Sequence, residues 1–120
     1  AMNTGHDGSW STGHASSPHD IISRIETMVL QGQDCPPNAI RQQIASGIDI
    51  IVQLGRLRDK SRRVLEISEV DGFMDGEIVL HTLYRFEETA VLDSGRIQGF
   101  LKKAGTLCHT DKLMAAGLSV

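Results

Sequence analysis

The side chains best able to do chemistry lie close together near the start of the chain, between Thr4 and Ser17. His6 and His14 can change protonation near neutral pH, and the glycines between them let the backbone approach a ligand closely. Hydroxyl groups add hydrogen-bond donors and acceptors to the same stretch. This composition is typical of a ligand-binding loop, and it is also found in polar loops near a chain terminus.

The order of these residues resembles a known family. The run Thr4-Gly5-His6 followed by Ser11-Thr12-x-His14 resembles the secretion-ATPase superfamily, in which the Ser-Thr-x-His element is called the histidine box. The run Met2–Ser9 is similar to the CpaF/TadA branch in particular. These proteins are the cytoplasmic motors of tight-adherence pilus assembly, related to type II and type IV secretion ATPases. In that family the box histidine lies near the γ-phosphate of ATP. The resemblance implies that His14 and Thr12 are catalytic. It also implies that five residues contact the nucleotide: Gly5, His6, Ser11, Thr12 and His14.

Later runs resemble the same family in the same order. They are Ala39–Ala45, Asp49–Leu54 and Arg62–Val64, and the likeness covers residues 1 to 86. Several motifs at matching positions are more specific than a single Ser-Thr-x-His element. One departure is Ser16, which stands where the family usually has asparagine. Serine has no side-chain amide for any contact that the family makes through that asparagine.

The chain contains no Gly-x-x-x-x-Gly-Lys-Ser/Thr motif, so it has no loop to wrap phosphates and position Mg²⁺. In the family that loop lies upstream of the histidine box. We therefore expect the chain to be the C-terminal fragment of a motor whose full-length form uses ATP and Mg²⁺. We expect neither to bind tightly to this fragment alone, which should be inactive by itself.

Composition and charge narrow the class of protein. The net charge of −3 gives no general attraction to nucleic acid. No apolar run is long enough to cross a membrane as a helix, and two distant cysteines fit a reduced compartment. The resemblance implies identical subunits in a hexamer and pilus or secretion platform proteins of the inner membrane as partners, with no nucleic acid. It places the protein in the cytoplasm, peripheral to the inner membrane.

Two helices are predicted over residues 18–48. Ser17 can cap the first helix, Pro18 suits its first position, and Gly32 is the expected stop. Apolar residues recur along it at helical spacing: Ile21, Ile25, Met28 and Val29. Pro37 is expected to open the second helix. One face of that helix carries an isoleucine at every fourth position: Ile40, Ile44 and Ile48.

The remaining residues predict strands and a helical tail. An antiparallel meander of three strands is expected within 49–86, beginning with a buried strand over 49–57. Residues 96–103 predict a short amphipathic helix within a tail over 87–120. With the resemblance, the fold class is α/β: the C-terminal portion of a RecA-like P-loop NTPase domain. The histidine-box segment occupies 1–17, followed by the two helices, the three-strand meander and the helical tail.

A hypothesis for the mechanism follows from the resemblance. A histidine at position 14 can sense the γ-phosphate by donating a hydrogen bond to it. Loss of that bond after hydrolysis would release the junction at Ser17-Pro18, and the helix that begins there would move.

Alternatives from other classes of protein function remain open. One is a metal enzyme, although the spacing of its ligands fits no standard zinc pattern: His6, Asp7, His14 and His19. Another is a non-catalytic interaction or oligomerisation module of a secretion system. A cluster of arginines in one turn could reach a neighbour's nucleotide or an acidic partner, or could simply be solvated: Arg58, Arg62 and Arg63.

Overall fold

The computed structural model describes residues 8, 10–32 and 36–119. Over these residues the chain forms helices first and then four consecutive strands. In order, the elements are α1 (Pro18–Gly32), α2 (Pro37–Gly47), β1 (Ile50–Arg56), β2 (Arg62–Met74), β3 (Glu77–Val91), β4 (Ile97–Lys103) and α3 (Asp111–Ala115). No helix separates any two of the strands, so strands dominate the part of the chain after residue 49.

The elements belong to two compact units. The first, called the helical unit, consists of Ala1–Ile51 and Val70–Leu80, and it includes α1 and α2. The second, called the strand-rich unit, consists of Val52–Glu69 and His81–Val120, and it includes β4 and α3. Strands β1, β2 and β3 each contribute residues to both units.

Both helices begin where the sequence predicted. Ser17 precedes α1, and its Oγ accepts a hydrogen bond from the Asp20 backbone N–H at 3.0 Å, as an N-cap residue does. Pro18 and Pro37 take the first positions of α1 and α2, where a proline removes no N–H that the helix would use. The predicted stop of α1 at Gly32 stays a prediction, because residues 33–35 lie outside the described residues. Among the helices that the structure describes, none is long and apolar enough to span a membrane.

An isoleucine cluster forms the core of the helical unit. Ile22 of α1 is 6% exposed, and Ile40 and Ile44 of α2 are 1% and 5% exposed. Partly buried side chains pack around them: Ile25, Val29, Ile48, Ile51 and Ile78. The predicted isoleucine face of α2 is therefore confirmed. The predicted face of α1 is only partly right, because Met28 is 61% exposed.

The strands form one sheet in the order β1-β2-β3-β4, so each strand pairs with its neighbours in the chain. β3 and β4 are antiparallel, with Tyr84 opposite Lys103 and Val91 opposite Ile97. Short turns join all the consecutive strands, and such connections make antiparallel pairs. The predicted fold class was therefore wrong. The structure has a four-strand antiparallel sheet with small helices, not a RecA-like α/β fold with a three-strand meander. The crossover connections that join parallel strands are absent from the described residues.

The first predicted strand is present, but it lies at the edge of the sheet and is not buried. Side chains of β1 alternate in exposure, with Ile50 42%, Val52 46% and Leu54 70% exposed. An edge strand has a neighbour on one side only. The apolar run over residues 49–57 therefore predicted a strand correctly, but its predicted burial was wrong.

The tail that was predicted to be helical contains β4 instead. Gly99 lies where the Phe86 ring and the Glu87 carbonyl oxygen leave no room for a Cβ atom. This close approach across the β3–β4 pair requires glycine. The short pattern of residues 97–103 is compatible with a helix or a strand, and pairing with β3 decides between them.

A buried carboxylate holds the segment that follows β4. Glu69 of β2 is 2% exposed, and its oxygens accept hydrogen bonds from the backbone N–H groups of Cys108 at 2.8 Å and His109 at 2.9 Å. Burial raises the pKa of Glu69, but these hydrogen bonds and the nearby His109 outweigh burial, so the pKa lies below its ordinary value. The chain is therefore fixed to β2 shortly before α3 begins.

Replacing Ile40 tests the core of the helical unit. Ile40→Ala is expected to lower the free energy of unfolding by about 2–5 kcal/mol, because it removes buried methyl and methylene groups and leaves a cavity. Met28→Ala on exposed α1 surface is the matched control, with an expected loss below about 1 kcal/mol. Urea unfolding followed by far-UV circular dichroism measures both. Equal losses in the two variants would contradict the assignment of Ile40 to the core.

Replacing Glu69 tests the attachment of the tail. Glu69→Gln offers one amide oxygen to two N–H donors, so one of them loses its acceptor. We expect the hydrogen-exchange protection of the Cys108 and His109 amides to fall about tenfold or more, as for the loss of a hydrogen bond to a charged group. Glu87→Gln, at an exposed position on β3, should leave both amides protected.

The same attachment should depend on pH. The folded-state pKa of Glu69 lies below the ordinary value of 4.5, so its stabilising contribution is fully present above that value. The contribution is lost as the pH falls through the lowered folded-state pKa. Wild-type protection at Cys108 and His109 should decrease over this acidic range, whereas Glu69→Gln should show no such step. A pH-independent wild type would contradict the role of the carboxylate.

Candidate functional site

The segment before α1 carries the residues that the resemblance assigned to ATP. Residues 10–15 have no regular secondary structure, and the side chains of Ser11, Thr12 and His14 are exposed. Three of the five assigned residues therefore lie on one exposed stretch of four residues. The other two, Gly5 and His6, lie outside the described residues.

Gly13 brings this segment close to α1. A Cβ atom built on Gly13 would lie only 2.7 Å from Cδ1 of Ile21. A residue with a side chain could adopt this position only if Ile21 moved. Because Thr12 and His14 flank Gly13, their backbone is held beside the first turns of the helix.

Asp20 connects the same segment to α1 by hydrogen bonds. Its carboxylate accepts the Ser16 backbone N–H at 2.9 Å and the Ser16 hydroxyl at 3.2 Å, and it forms an ion pair with Arg24 at 3.0 Å. The Ser16 backbone N–H is the main reason that the pKa of Asp20 is lowered, and Arg24 adds to it. Ser17 accepts the Asp20 N–H in return, an arrangement related to the capping box. The entry into α1 is therefore held from both sides.

This arrangement can present donors to an anion. The hydroxyls of Ser11 and Thr12 and an imidazole N–H of His14 are all hydrogen-bond donors, and phosphate oxygens are acceptors. The nearest described carboxylate along the chain is Asp20, whose charge is already matched by Arg24 and by Ser16. The exposed segment is therefore chemically suited to contact one oxyanion group.

The metal-enzyme alternative finds no support in the part of the chain that the structure describes. Within that part, no group of three or more His, Cys, Asp or Glu side chains is arranged to hold a metal ion. Of the residues considered for it, His14 and His19 are described, and His6 and Asp7 lie outside the described residues.

The β1–β2 turn of the strand-rich unit holds the arginines that the sequence singled out, and the structure separates their roles. Arg58 forms a two-point ion pair with the Glu88 carboxylate, one of whose contacts is 2.8 Å long. Arg63 donates a hydrogen bond to the Ile97 carbonyl oxygen at 3.0 Å. Arg62 is exposed and has no ion-pair partner among the described residues. Two of the three arginines therefore have structural contacts, and one is available to a partner.

Sequence reasoning missed Asp59, which organises this turn. Its carboxylate accepts the Ile97 backbone N–H at 2.8 Å, the Ser61 hydroxyl at 2.5 Å and the Ser61 backbone N–H at 2.9 Å. These hydrogen bonds, led by the one from Ile97, lower the pKa of Asp59 to about 2. The sequence near Asp59 held part of the evidence for this role, because an Asp two residues before a Ser in a turn can accept the Ser backbone N–H.

Glu69 was also missed, and for this residue no local signal exists. Its donors, Cys108 and His109, lie 39 and 40 residues further along the chain. Only the folded structure brings them together.

The chain is similar in sequence to part of two longer proteins. No protein-family model matches the chain. Two Mycobacterium tuberculosis proteins, from strains CDC 1551 / Oshkosh and ATCC 25618 / H37Rv, are similar to it, and each is named "Putative conjugal transfer protein". Each is 32% identical over 85 residues, which cover 68% of this chain and 24% of the relative. The chain therefore spans about a quarter of the length of the curated relatives it matches.

Proposed function

We propose that this chain is part of an ATP-hydrolysing motor similar to the CpaF/TadA secretion ATPases, which drives conjugal transfer, pilus assembly or protein secretion. The observation that carries the proposal is the segment 10–15, where Ser11, Thr12 and His14 are exposed beside a capped helix. The order of family-like motifs supports the ATPase, and the name of the two mycobacterial relatives supports the transfer process.

In this proposal the donors of this segment contact the terminal phosphate of ATP. Hydroxyl and imidazole groups match phosphate oxygens, but the chain has no P-loop motif for the rest of the triphosphate or for Mg²⁺. In this proposal those contacts come from another part of the full-length protein. Bound ATP with Mg²⁺ would supply the phosphoanhydride that is hydrolysed.

In this proposal the chain itself binds the terminal phosphate and responds when that contact changes. His14 donates a hydrogen bond to an oxygen of the terminal phosphate, and Thr12 and Ser11 add hydroxyl donors to the same group. The backbone on either side of His14 is connected to α1 through Gly13 and through the Ser16–Asp20 hydrogen bonds. A change in the hydrogen bond of His14 therefore reaches the start of α1 directly, and α1 is the element that moves.

The partners in this proposal follow from the motor function. Identical subunits assemble into a hexamer, and the assembly works at the cytoplasmic face of the inner membrane on platform proteins of a pilus or secretion system. The relatives' name concerns conjugal transfer, so transfer is the process to examine first.

Replacing His14 in the full-length protein tests the proposal. His14→Ala should reduce kcat for ATP hydrolysis by about 10²–10³-fold, the usual loss when one donor to the developing charge is removed. His14→Asn keeps an N–H donor and should recover part of that activity. Phosphate release under saturating ATP measures all the variants.

His19→Ala is the matched control for this experiment. His19 is an exposed imidazole in the first turn of α1, five positions after His14, and its removal should leave kcat unchanged. Wild-type turnover by His14→Ala, or an equal loss in both variants, would show that the histidine segment does not act on the nucleotide.

A further inference from the structure

The β1–β2 turn has a lysine in a backbone conformation that favours glycine. The Leu57 N–H donates a hydrogen bond to the Ser61 carbonyl oxygen at 2.9 Å, and the Lys60 N–H donates to the Leu57 carbonyl oxygen at 2.9 Å. This pattern is that of a three-residue hairpin loop whose last residue is left-handed, and Lys60 has a φ of 68°. A side chain at such a φ costs free energy. The turn therefore places a cation where glycine would be unstrained.

The β3–β4 turn has the same hydrogen-bond pattern, but with glycine at the left-handed position. The Leu92 N–H donates to the Arg96 carbonyl oxygen and the Gly95 N–H donates to the Leu92 carbonyl oxygen, both at 2.8 Å. The φ of Gly95 is 85°. Because consecutive strands are neighbours in an antiparallel sheet, the β1–β2 and β3–β4 turns lie at the same end of it. Two turns of one kind are therefore found together, and they differ in the residue at the left-handed position.

A cleft of about 520 Å³ lies between these two turns. We call it the two-turn cleft, and its volume is typical of sites for small ligands. The Ile97 N–H donates a hydrogen bond to the Asp59 carboxylate at 2.8 Å and thereby fixes one turn against the start of β4. All the lining residues belong to the strand-rich unit: Asp59, Lys60, Ser61, Ser94, Gly95 and Arg96.

The side chains that line the cleft are either engaged within the protein or available to a ligand. The Asp59 carboxylate is engaged, because it accepts hydrogen bonds from Ile97 and from Ser61. Three others are exposed and have no side-chain hydrogen bond or ion pair in the part of the chain that the structure describes: Lys60, Ser94 and Arg96. Asp93, in the same turn as Arg96, does not line the cleft. One wall therefore offers an ammonium group, and the other offers a guanidinium and a hydroxyl.

This set of donors matches a phosphate group. Lysine and arginine donate charge-assisted hydrogen bonds to phosphate oxygens, and a serine hydroxyl adds a neutral one. A phosphomonoester carries a charge of about −2 near neutral pH, which the charges of Lys60 and Arg96 balance. Its tetrahedral oxygens point in several directions and can contact both walls at once. A planar carboxylate, with a single negative charge, matches these donors less well.

We propose that the two-turn cleft binds a phosphomonoester group between Lys60 of the β1–β2 turn and Arg96 with Ser94 of the β3–β4 turn. The group is carried by a small soluble phosphate compound or by the headgroup of a lipid, since both present the same oxygens. This site gives a reason for a lysine at the left-handed position of the first turn. It uses residues other than the histidine segment, so it goes beyond the proposed ATP function and does not depend on it.

Titrating the ¹⁵N-labelled 120-residue chain with inorganic phosphate tests the site. Backbone N–H resonances of the two turns should shift saturably, with a Kd in the millimolar range, and acetate at equal ionic strength should bind at least about tenfold more weakly. Lys60→Asn and Arg96→Gln should each weaken phosphate binding about tenfold, the usual loss of a hydrogen bond to a charged group. Asparagine tolerates positive φ, so the first turn keeps its shape.

Three further variants separate the cleft from general charge effects. Lys60→Arg keeps the cation and should retain most of the affinity. Lys103→Gln removes an exposed cation at the other end of β4 and should bind phosphate as the wild type does. His14→Ala, which changes the histidine segment, should also leave the shifts of the two turns unaltered. The dispersion of the amide resonances confirms that each variant is folded.

Two phosphomonoester probes identify the source of the group. Glycerol 3-phosphate represents soluble compounds, and phosphatidylcholine vesicles that contain phosphatidic acid represent lipids. Binding of either probe that is weakened in Lys60→Asn supports the site and identifies its ligand. The proposal is overturned if phosphate produces no saturable shift at the two turns, if acetate binds equally well, or if Lys103→Gln loses as much affinity as Lys60→Asn. ATP turnover is not measured in this experiment, so the two proposals can fail separately.

Discussion

The carboxylate of Asp59 sets the geometry of the strand-rich unit. It accepts two hydrogen bonds from Ser61 in its own turn and one from the Ile97 N–H at the start of β4. Arg63 completes the arrangement by donating to the Ile97 carbonyl oxygen and lying over the Phe86 ring, 5.9 Å from its centroid. Because one acceptor serves both the turn and the strand, β4 begins beside the β1–β2 turn.

Two other carboxylates act in the same way. Asp20 accepts the Ser16 N–H before α1, and Glu69 accepts two backbone N–H groups after β4. Backbone N–H groups outside regular secondary structure still need acceptors, and each of these carboxylates supplies them at a junction between elements. Hydrogen bonds to the ionised form lower the pKa of all three groups. Loops and tail are thus fixed while their other side chains remain exposed.

The histidine segment and the hairpin turns of the sheet use different parts of this design. The histidine segment depends on Asp20 and Gly13, which hold it against α1. In the β1–β2 turn the carboxylate of Asp59 accepts the stabilising hydrogen bonds, and in the β2–β3 turn Arg41 donates one to the Gly76 carbonyl oxygen. Each of these segments is therefore held by its own polar contacts, and these contacts leave other side chains of the segment exposed.

Local signals in the sequence determined where the helices begin and where the strands before residue 87 lie. Ser17, Pro18 and Pro37 act through their own backbone geometry and hydrogen bonds, so their effect needs no distant contact. The isoleucine spacing of α2 likewise determined which face is buried. The likeness of the histidine segment to a known family rested on nearby residues as well.

Tertiary structure decided the rest. Residues 97–103 form a strand because β3 pairs with them and Phe86 leaves room only for Gly99. β1 lies at an edge, and Glu69 meets donors about 40 residues away. Such contacts join distant parts of the chain, and no short pattern of residue types can specify them.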